Sequence, residues 1–392
     1  MKILSCSATL FALFVFAVSV NTLPAVLLRA SGELNISSTS LSVAGSVQFL
    51  GFFFATLLGG ALSDRVGKKG ILVVATLLMG LGAGVVVAAQ SGLHVAIGCA
   101  LLGMGGGVVE TLSSAILVEL FPTRRKLMLN LSQVIFCVGA VGAPLAMGWL
   151  LPRGVSWRLS FAGVAALCAV LLVLLAKARF PHTAPHADCQ APRLSVLVRR
   201  PSVVFPCVAL FAYVFSEFAV IMFANYYLSE HLAAPESWSI YAIAWVWCAV
   251  GLGRLGCAAI PEGHSYEKLL STLMVVSALL MGAQVWVTDW HVALLLFTLT
   301  GISFSGVWPM IVGMAASRSS ARSTATVLGL TISVGALGCA SSPPVLQWLF
   351  AHLDPAWVFP VAGLPLLVGA VAVHIGKTLS TTVVSPGDAK RP

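Results

Sequence analysis

The chain has 392 residues, 59% of them apolar and only 9% charged, whereas soluble domains carry about a quarter charged residues. A water-soluble fold is excluded, since that much apolar surface needs a bilayer around it. The formal charge of +9 does not indicate nucleic acid binding either, because the basic residues stand in short groups between apolar runs rather than on one polar surface.

Apolar runs long enough to cross a bilayer as helices lie near 8–28, 40–62, 70–90, 94–119, 127–150 and 157–176. A second set lies near 202–229, 238–260, 268–288, 290–315, 323–350 and 356–376. The runs are continuous rather than alternating, so barrel strands are excluded. The expected fold is an all-α membrane protein with twelve transmembrane helices in two pseudo-symmetric six-helix bundles. Residues 1–176 form the first bundle and 202–376 the second, with a cytoplasmic linker at 177–201 and a cytoplasmic tail at 377–392. Met1-Lys2 ahead of an apolar stretch also has the look of a secretory signal, but the run from Ile3 to Leu28 is long, so a retained first helix is expected.

With both termini in the cytoplasm, all of the 22 basic residues except Arg29, Arg153 and Arg158 fall inside. Glu33, Glu230, Glu236, Asp289 and Asp354 fall outside, as the positive-inside tendency requires. The expected location is the cell inner membrane, with multiple passes, and the expected state is a monomer surrounded by lipid. The nine cysteines show no CxxC pair and the histidines no zinc-site spacing, so neither a metal nor any other cofactor is expected. No GxxxxGK[ST] loop is present, and no Ser/His, His-rich or paired-Asp constellation marks an enzyme.

The two halves repeat. Val138-Gly139-Ala140-Val141-Gly142 recurs as Val334-Gly335-Ala336-Leu337-Gly338, and Gly103 and Val109 match Gly301 and Val307. The pattern implies bundles related by an axis along the membrane normal, with a site between them at mid-depth.

Between the second and third runs stands Gly59-Gly60-Ala61-Leu62-Ser63-Asp64-Arg65-Val66-Gly67-Lys68-Lys69. This resembles the signature loop G-x-x-x-D-R-x-G-R/K-R/K of the major facilitator superfamily. The resemblance implies that Gly60, Asp64, Arg65, Gly67, Lys68 and Lys69 form a latch on the rocking of the two halves. Gly253-Arg254 resembles a degenerate second copy, which places Arg254 in the latch as well.

A narrower resemblance lies in the fourth and fifth runs: Gly103-x-Gly105-x-Gly107-x-x-Glu110, Phe121-Pro122-x-Arg124-Arg125, Leu129-Asn130-Leu131 and Gly139-x-x-Gly142-x-Pro144. These are similar to the fucose permease branch of sugar:proton symporters. That branch carries a carboxylate on the first span, where this chain has Asn21-Thr22 and no acid before Glu33. Gly139, Gly142, Pro144 and Gly148 also resemble the fifth-span signature of drug/proton antiporters, with Ala143-Pro144 in place of its Gly-Pro.

Charges deep in a membrane are costly and persist mainly in cavities or pairs. Only Glu110, just past the middle of the fourth run, and Glu217, near the middle of the seventh, qualify among the acids. With no basic residue expected at their depth, both favour the neutral form when the site is empty, as a proton-coupled carboxyl requires. Ser113 and Ser114 follow Glu110 on one helix face, and Asn130 and Gln133 stand one turn apart on the fifth run. Asn225 and Tyr226 follow Glu217, and Trp308 takes the place in the tenth run that Glu110 holds in the fourth. With Asn21, these are the candidate residues for substrate binding or proton coupling. Amides, carboxyls and aromatic faces suit a sugar or related hydrophilic solute. The expected function is its secondary transport by alternating access, with protons as the coupling ion; a proton-driven exporter of amphiphilic compounds is the alternative, and a membrane-embedded enzyme the least favoured reading.

Overall fold

A computed structural model describes the backbone at residues 2–121, 125–178, 180, 199–258, 266–318 and 324–383, with side chains left out at several helix ends beside the gaps. Among the described residues there are twelve helical spans and no strand. The first six helices are α1 (Lys2–Leu34), α2 (Ser38–Val66), α3 (Lys68–Val87), α4 (Gly92–Leu120), α5 (Arg125–Leu150) and α6 (Arg158–Lys177). The second set comprises α7 (Pro201–Tyr226), α8 (Glu236–Ala258), α9 (Tyr266–Ala283), α10 (Trp290–Phe304), α11 (Val307–Ser317), α12 (Thr324–His352) and α13 (Val358–Val383). The helices form because every backbone donor and acceptor in hydrocarbon must be satisfied within its own segment. Several run past the limits expected from hydropathy, α1 by a turn or more at each end, since polar ends continue the helix into the interface.

Helices α1 to α6 pack as one bundle, mainly through α2 with α4, α3 with α4 and α6, and α1 with α5. Helices α7 to α13 pack as the other, through α7 with α12 and α13, α9 with α13, and α8 with α10. The bundles meet along two principal seams, α2 against α12 and α5 against α8, with α1 and α7 touching between them.

The internal repeat is visible in the packing. A Cβ on Gly103 would fall on the Gln48 carbonyl oxygen, and one on Gly301 would stand 2.6 Å from the Val246 carbonyl oxygen. Both the glycine and the carbonyl are displaced by 198 positions between the halves, so α2 crosses α4 as α8 crosses α10. Close approach through a missing side chain is how membrane helices associate without a hydrophobic driving force between them.

One span departs from the expected continuous helix. The tenth is broken at Ser305-Gly306 into α10 and α11. Ser305 N–H turns back to the Ile302 carbonyl at 3.3 Å, and α11 restarts with Met310 N–H on the Gly306 carbonyl at 3.1 Å. Gly306 leaves room there for the Met310 and Cys257 side chains, whose Cε and Sγ would stand 2.5 and 2.8 Å from a Cβ at this position.

On the face that carries Glu236, the bundles are tied together. Arg29 at the end of α1 grips Glu236 at the start of α8 in a fork, Nε to Oε1 at 2.5 Å and Nη2 to Oε2 at 2.6 Å. Gln347 of α12 donates to Ser40 Oγ of α2 at 3.2 Å. Glu33 of α1 binds Arg158 of α6 and accepts from Trp157 Nε1 at 2.7 Å, within the first bundle.

Candidate functional site

Glu110 lies on α4 with its carboxyl directed between the bundles and is 8% exposed. Its Oε1 accepts from Gln133 Nε2 of α5 at 3.4 Å, while Oε2 is buried without a partner. Across the seam, Glu217 sits on α7 and accepts from Tyr213 Oη one turn earlier at 2.5 Å. The spacing i to i+4 places both on one helix face. Tyr213 is in turn held edge-on by Phe304, centroids 5.5 Å apart, at the last residue of α10.

Arg254 joins these groups. From α8 its Nη1 donates to the Gln133 carbonyl at 3.2 Å and to Cys137 Sγ at 3.1 Å, both on α5. Its Nε donates to the Ser305 carbonyl at the break between α10 and α11, at 3.4 Å. The guanidinium is close enough to act electrostatically on both Glu110 and Glu217. The expectation that no basic residue stands at the depth of the two acids is therefore corrected. Read along the sequence, Arg254 is near the end of an apolar run and counts as cytoplasmic; in space it is turned inward, against α5.

The repeat shows what is special about this position. Thr56 of α2 donates to the Gly107 carbonyl of α4 at 3.5 Å, and Arg254 to the Ser305 carbonyl, each pair displaced by the same 198 positions. One side-chain-to-carbonyl link recurs in both bundles, with a neutral hydroxyl in the first and a guanidinium in the second. Similarly, Glu110 corresponds to Trp308, which stands partly buried in the first turn of α11 beside the break.

Glu217, Gln133 and Arg254 each keep some accessible surface. The polar groups thus lie where the two bundles meet, joined across the seam by Arg254 on Gln133 and Cys137.

A second polar group lies toward the Glu236 face. Asn21 is fully buried, donates to the Ala17 carbonyl at 2.9 Å and accepts from Trp247 Nε1 of α8 at 2.5 Å. Phe136 of α5 packs edge-on against Phe16 and Trp247, with centroids 5.8 and 5.4 Å away. Asn225 donates to the Pro24 carbonyl of α1 at 3.4 Å and Tyr226 stacks edge-on on Phe350. Asn225 therefore belongs to the seam at that face, while Tyr226 packs within the second bundle, both about two helical turns along α7 from Glu217. Ser113 is buried with an unpartnered hydroxyl, and Ser114 is half-buried. The side chain of Asn130 lies outside the described residues.

Of the latch residues, Asp64 and Arg65 also have side chains outside the described residues, and the surroundings of Gly60 are likewise not described. Gly67 takes φ +92°, the left-handed region that glycine tolerates, and so turns the chain between α2 and α3. Lys68 pairs with Glu119 of α4, and Lys69 donates to the Ala176 and Ala178 carbonyls at 2.9 and 2.8 Å, the C-terminal end of α6. The described bonds of this loop stay within the first bundle. The described hydrogen bonds of Arg254 do not reach this loop.

The model of the Major Facilitator Superfamily matches residues 8–261. The chain belongs to this superfamily. It is a multi-pass membrane transporter of small molecules and not an enzyme. It is 26% identical over 369 residues to the probable nitrate/nitrite transporter NarK2 of Mycobacterium tuberculosis, covering 87% of each chain. Among solved structures it resembles the human organic anion transporter MFSD10 (14% identity, TM-score 0.74, 95% of this chain and 99% of that one). It also resembles the E. coli fucose:proton symporter FucP (19% identity, TM-score 0.68, 94% of this chain and 98% of that one). At these identities the structural likeness concerns the fold.

The sequence reading missed Tyr213, Cys137 and Trp247 as members of the polar seam. Tyr213 carried a signal, being one turn before Glu217. Trp247 stands among the tryptophans of α8 and nothing in the sequence separates it from an interfacial anchor.

Proposed function

We propose that the protein is a secondary transporter that takes up a small hydrophilic solute across the cytoplasmic membrane, with both termini inside, and that Glu110 couples this movement to protons. The observation that carries the reading is the meeting of Glu110 and Gln133 from one bundle with Tyr213, Glu217 and Arg254 from the other. Each bundle contributes half of the polar surface, so rocking the bundles assembles the site or takes it apart. A carboxyl with one free oxygen at such a seam can take or release a proton as the opening changes sides.

A lining of amides, carboxyls, a phenol and a guanidinium favours a hydrophilic solute, a sugar or other hydroxylated compound, over an amphiphilic one. The relatives described above transport nitrate or nitrite, organic anions and fucose by their names, while the multidrug resistance protein MdtL of Klebsiella pneumoniae, 27% identical over 163 residues, keeps the exporter as the alternative. The decisive measurement is uptake of labelled sugars and organic acids into proteoliposomes with and without an imposed pH gradient. The wild type should accumulate solute only with the gradient, and Glu110→Gln should retain counterflow while losing gradient-driven accumulation. Unchanged accumulation by Glu110→Gln would remove Glu110 from coupling, and absence of counterflow for every hydrophilic solute would favour the exporter.

A further inference from the structure

The guanidinium of Arg254 is the least explained charge in the molecule. No carboxylate stands at ion-pair distance from it among the described residues, although Glu110 and Glu217 are both within electrostatic reach. Its bonded acceptors are instead two backbone carbonyls and a thiol, those of Gln133, Ser305 and Cys137. A guanidinium carries five N–H donors in a planar fork. The described bonds engage Nε and Nη1, and Nη2 has none, while the side chain keeps accessible surface.

The position is also one where a cation is not needed to hold the fold. The equivalent link in the first bundle is made by the neutral hydroxyl of Thr56. A charge at this depth that lacks an ion-pair partner is costly and is retained where it has a use. Two further features face the same place. Glu110 Oε2 is buried and unpartnered in a residue more than nine-tenths buried, and Gln133, which carries the other Glu110 oxygen, also supplies a carbonyl to Arg254. The break at Ser305-Gly306 adds the start of α11, where Val307 and Trp308 supply N–H groups without intrahelical acceptors at a helix end that favours negative charge.

We infer that Arg254 is the anchor for an anionic group of the transported solute, a planar oxyanion such as a carboxylate or nitrate, which accepts from the free Nη2 and, displacing the weak Cys137 thiol acceptor, from Nη1, and which also accepts a hydrogen bond from protonated Glu110. This rests on the proposed transport function and narrows its solute class. A neutral sugar offers the free Nη2 only single hydroxyl acceptors, whereas a planar oxyanion brings two charged oxygens that bond Nη2 and Nη1 in parallel once the thiol is displaced.

The test uses the full chain, purified in detergent, with thermal unfolding followed during titration with gluconate, lactate and nitrate, and with glucose as the neutral counterpart of gluconate. At least one planar oxyanion should raise the unfolding temperature with an apparent affinity about tenfold or more above that of glucose, the scale of a charge-assisted bidentate contact. Arg254→Gln should lose that preference, and Arg254→Lys, which keeps the charge but not the fork, should retain only part of it. Size-exclusion profiles and unliganded unfolding temperatures report whether each variant folds; Glu110→Gln, whose amide keeps a donor where the protonated carboxyl has one, should bind the anion within about twofold of wild type, whereas Glu110→Val, without a donor, should weaken the anion more than glucose. Gluconate against nitrate separates a hydroxylated carboxylate from an inorganic anion. Equal binding of glucose and gluconate by the wild type, no response to any planar oxyanion, or an unchanged anion preference in a folded Arg254→Gln overturns the inference. Glucose uptake that still depends on Glu110 would leave the transport reading standing while the anion falls; no binding and no uptake of any solute would bring down both.

Discussion

At the scale of single residues, membrane helices are positioned by what is missing as much as by what is present. Gly103 has no room for a methyl group because the Gln48 carbonyl occupies its place, whereas a Cβ on Gly142 would meet nothing within 4 Å. Gly103→Ala should therefore cost about 3 kcal/mol or more, since the obstruction is backbone and cannot rotate away. Gly142→Ala should change stability by less than about 0.5 kcal/mol. Unfolding temperatures of the two variants in detergent check the contrast, and equal effects would show that α2 and α4 are not so closely packed. Both glycines look alike in the sequence, being members of similar small-residue runs. The buried acids were legible there because a charge in an apolar run is conspicuous. The inward turn of Arg254 was not, because an arginine near the end of a run reads equally well as a snorkelling end or a buried anchor, and only the direction of the side chain decides.

At the scale of elements, twelve crossings follow from hydropathy alone, because each crossing must satisfy its own backbone and announces itself by length. The break between α10 and α11 does not, since Gly and Ser are common in intact membrane helices and hydropathy continues across it. The start of α10 is set by a different device. Asp289 precedes the first turn and accepts from the backbone N–H of His291 at 2.7 Å and of Val292 at 3.3 Å. These backbone bonds, with the His291 ring, hold the exposed carboxyl below the ordinary aspartate range. Because the folded value is the lower one, the cap stabilises the fold at neutral pH, and that contribution is lost as acid protonates the carboxyl. Asp289→Asn should therefore lower the unfolding temperature at pH 7, with the gap to wild type closing as the pH falls through the acid range. A gap that stays constant down to pH 3 would mean that the charge plays no part.

At the scale of the whole molecule, the two bundles share one plan but not one chemistry. The plan is legible in the sequence as matched glycines, and the packing repeats it down to which carbonyl each glycine meets. The chemistry is divided, with Glu110 on one side and Glu217 and Arg254 on the other, so the site exists only where the bundles face each other. Its access depends on the seams. On the Glu236 face they are held by the Arg29 fork and by Gln347 on Ser40, so this conformation has that side tied shut. If transport requires the seam between α2 and α12 to part in every cycle, a covalent link across it must stop turnover. Ser40→Cys with Gln347→Cys, in a background without native cysteines, should be joined through disulfides by a short bis-methanethiosulfonate, which replaces the reach of the glutamine side chain that now touches Ser40 Oγ at 3.2 Å. Solute counterflow in proteoliposomes should then fall to the level of empty vesicles and return on reduction, while either single variant keeps the parental rate. The crosslinked protein should still bind solute from the opposite face, because Glu110, Gln133 and Arg254 lie away from the link. Full counterflow with the crosslink intact would show that this seam stays closed throughout the cycle, and the moving boundary would have to be sought elsewhere between the bundles.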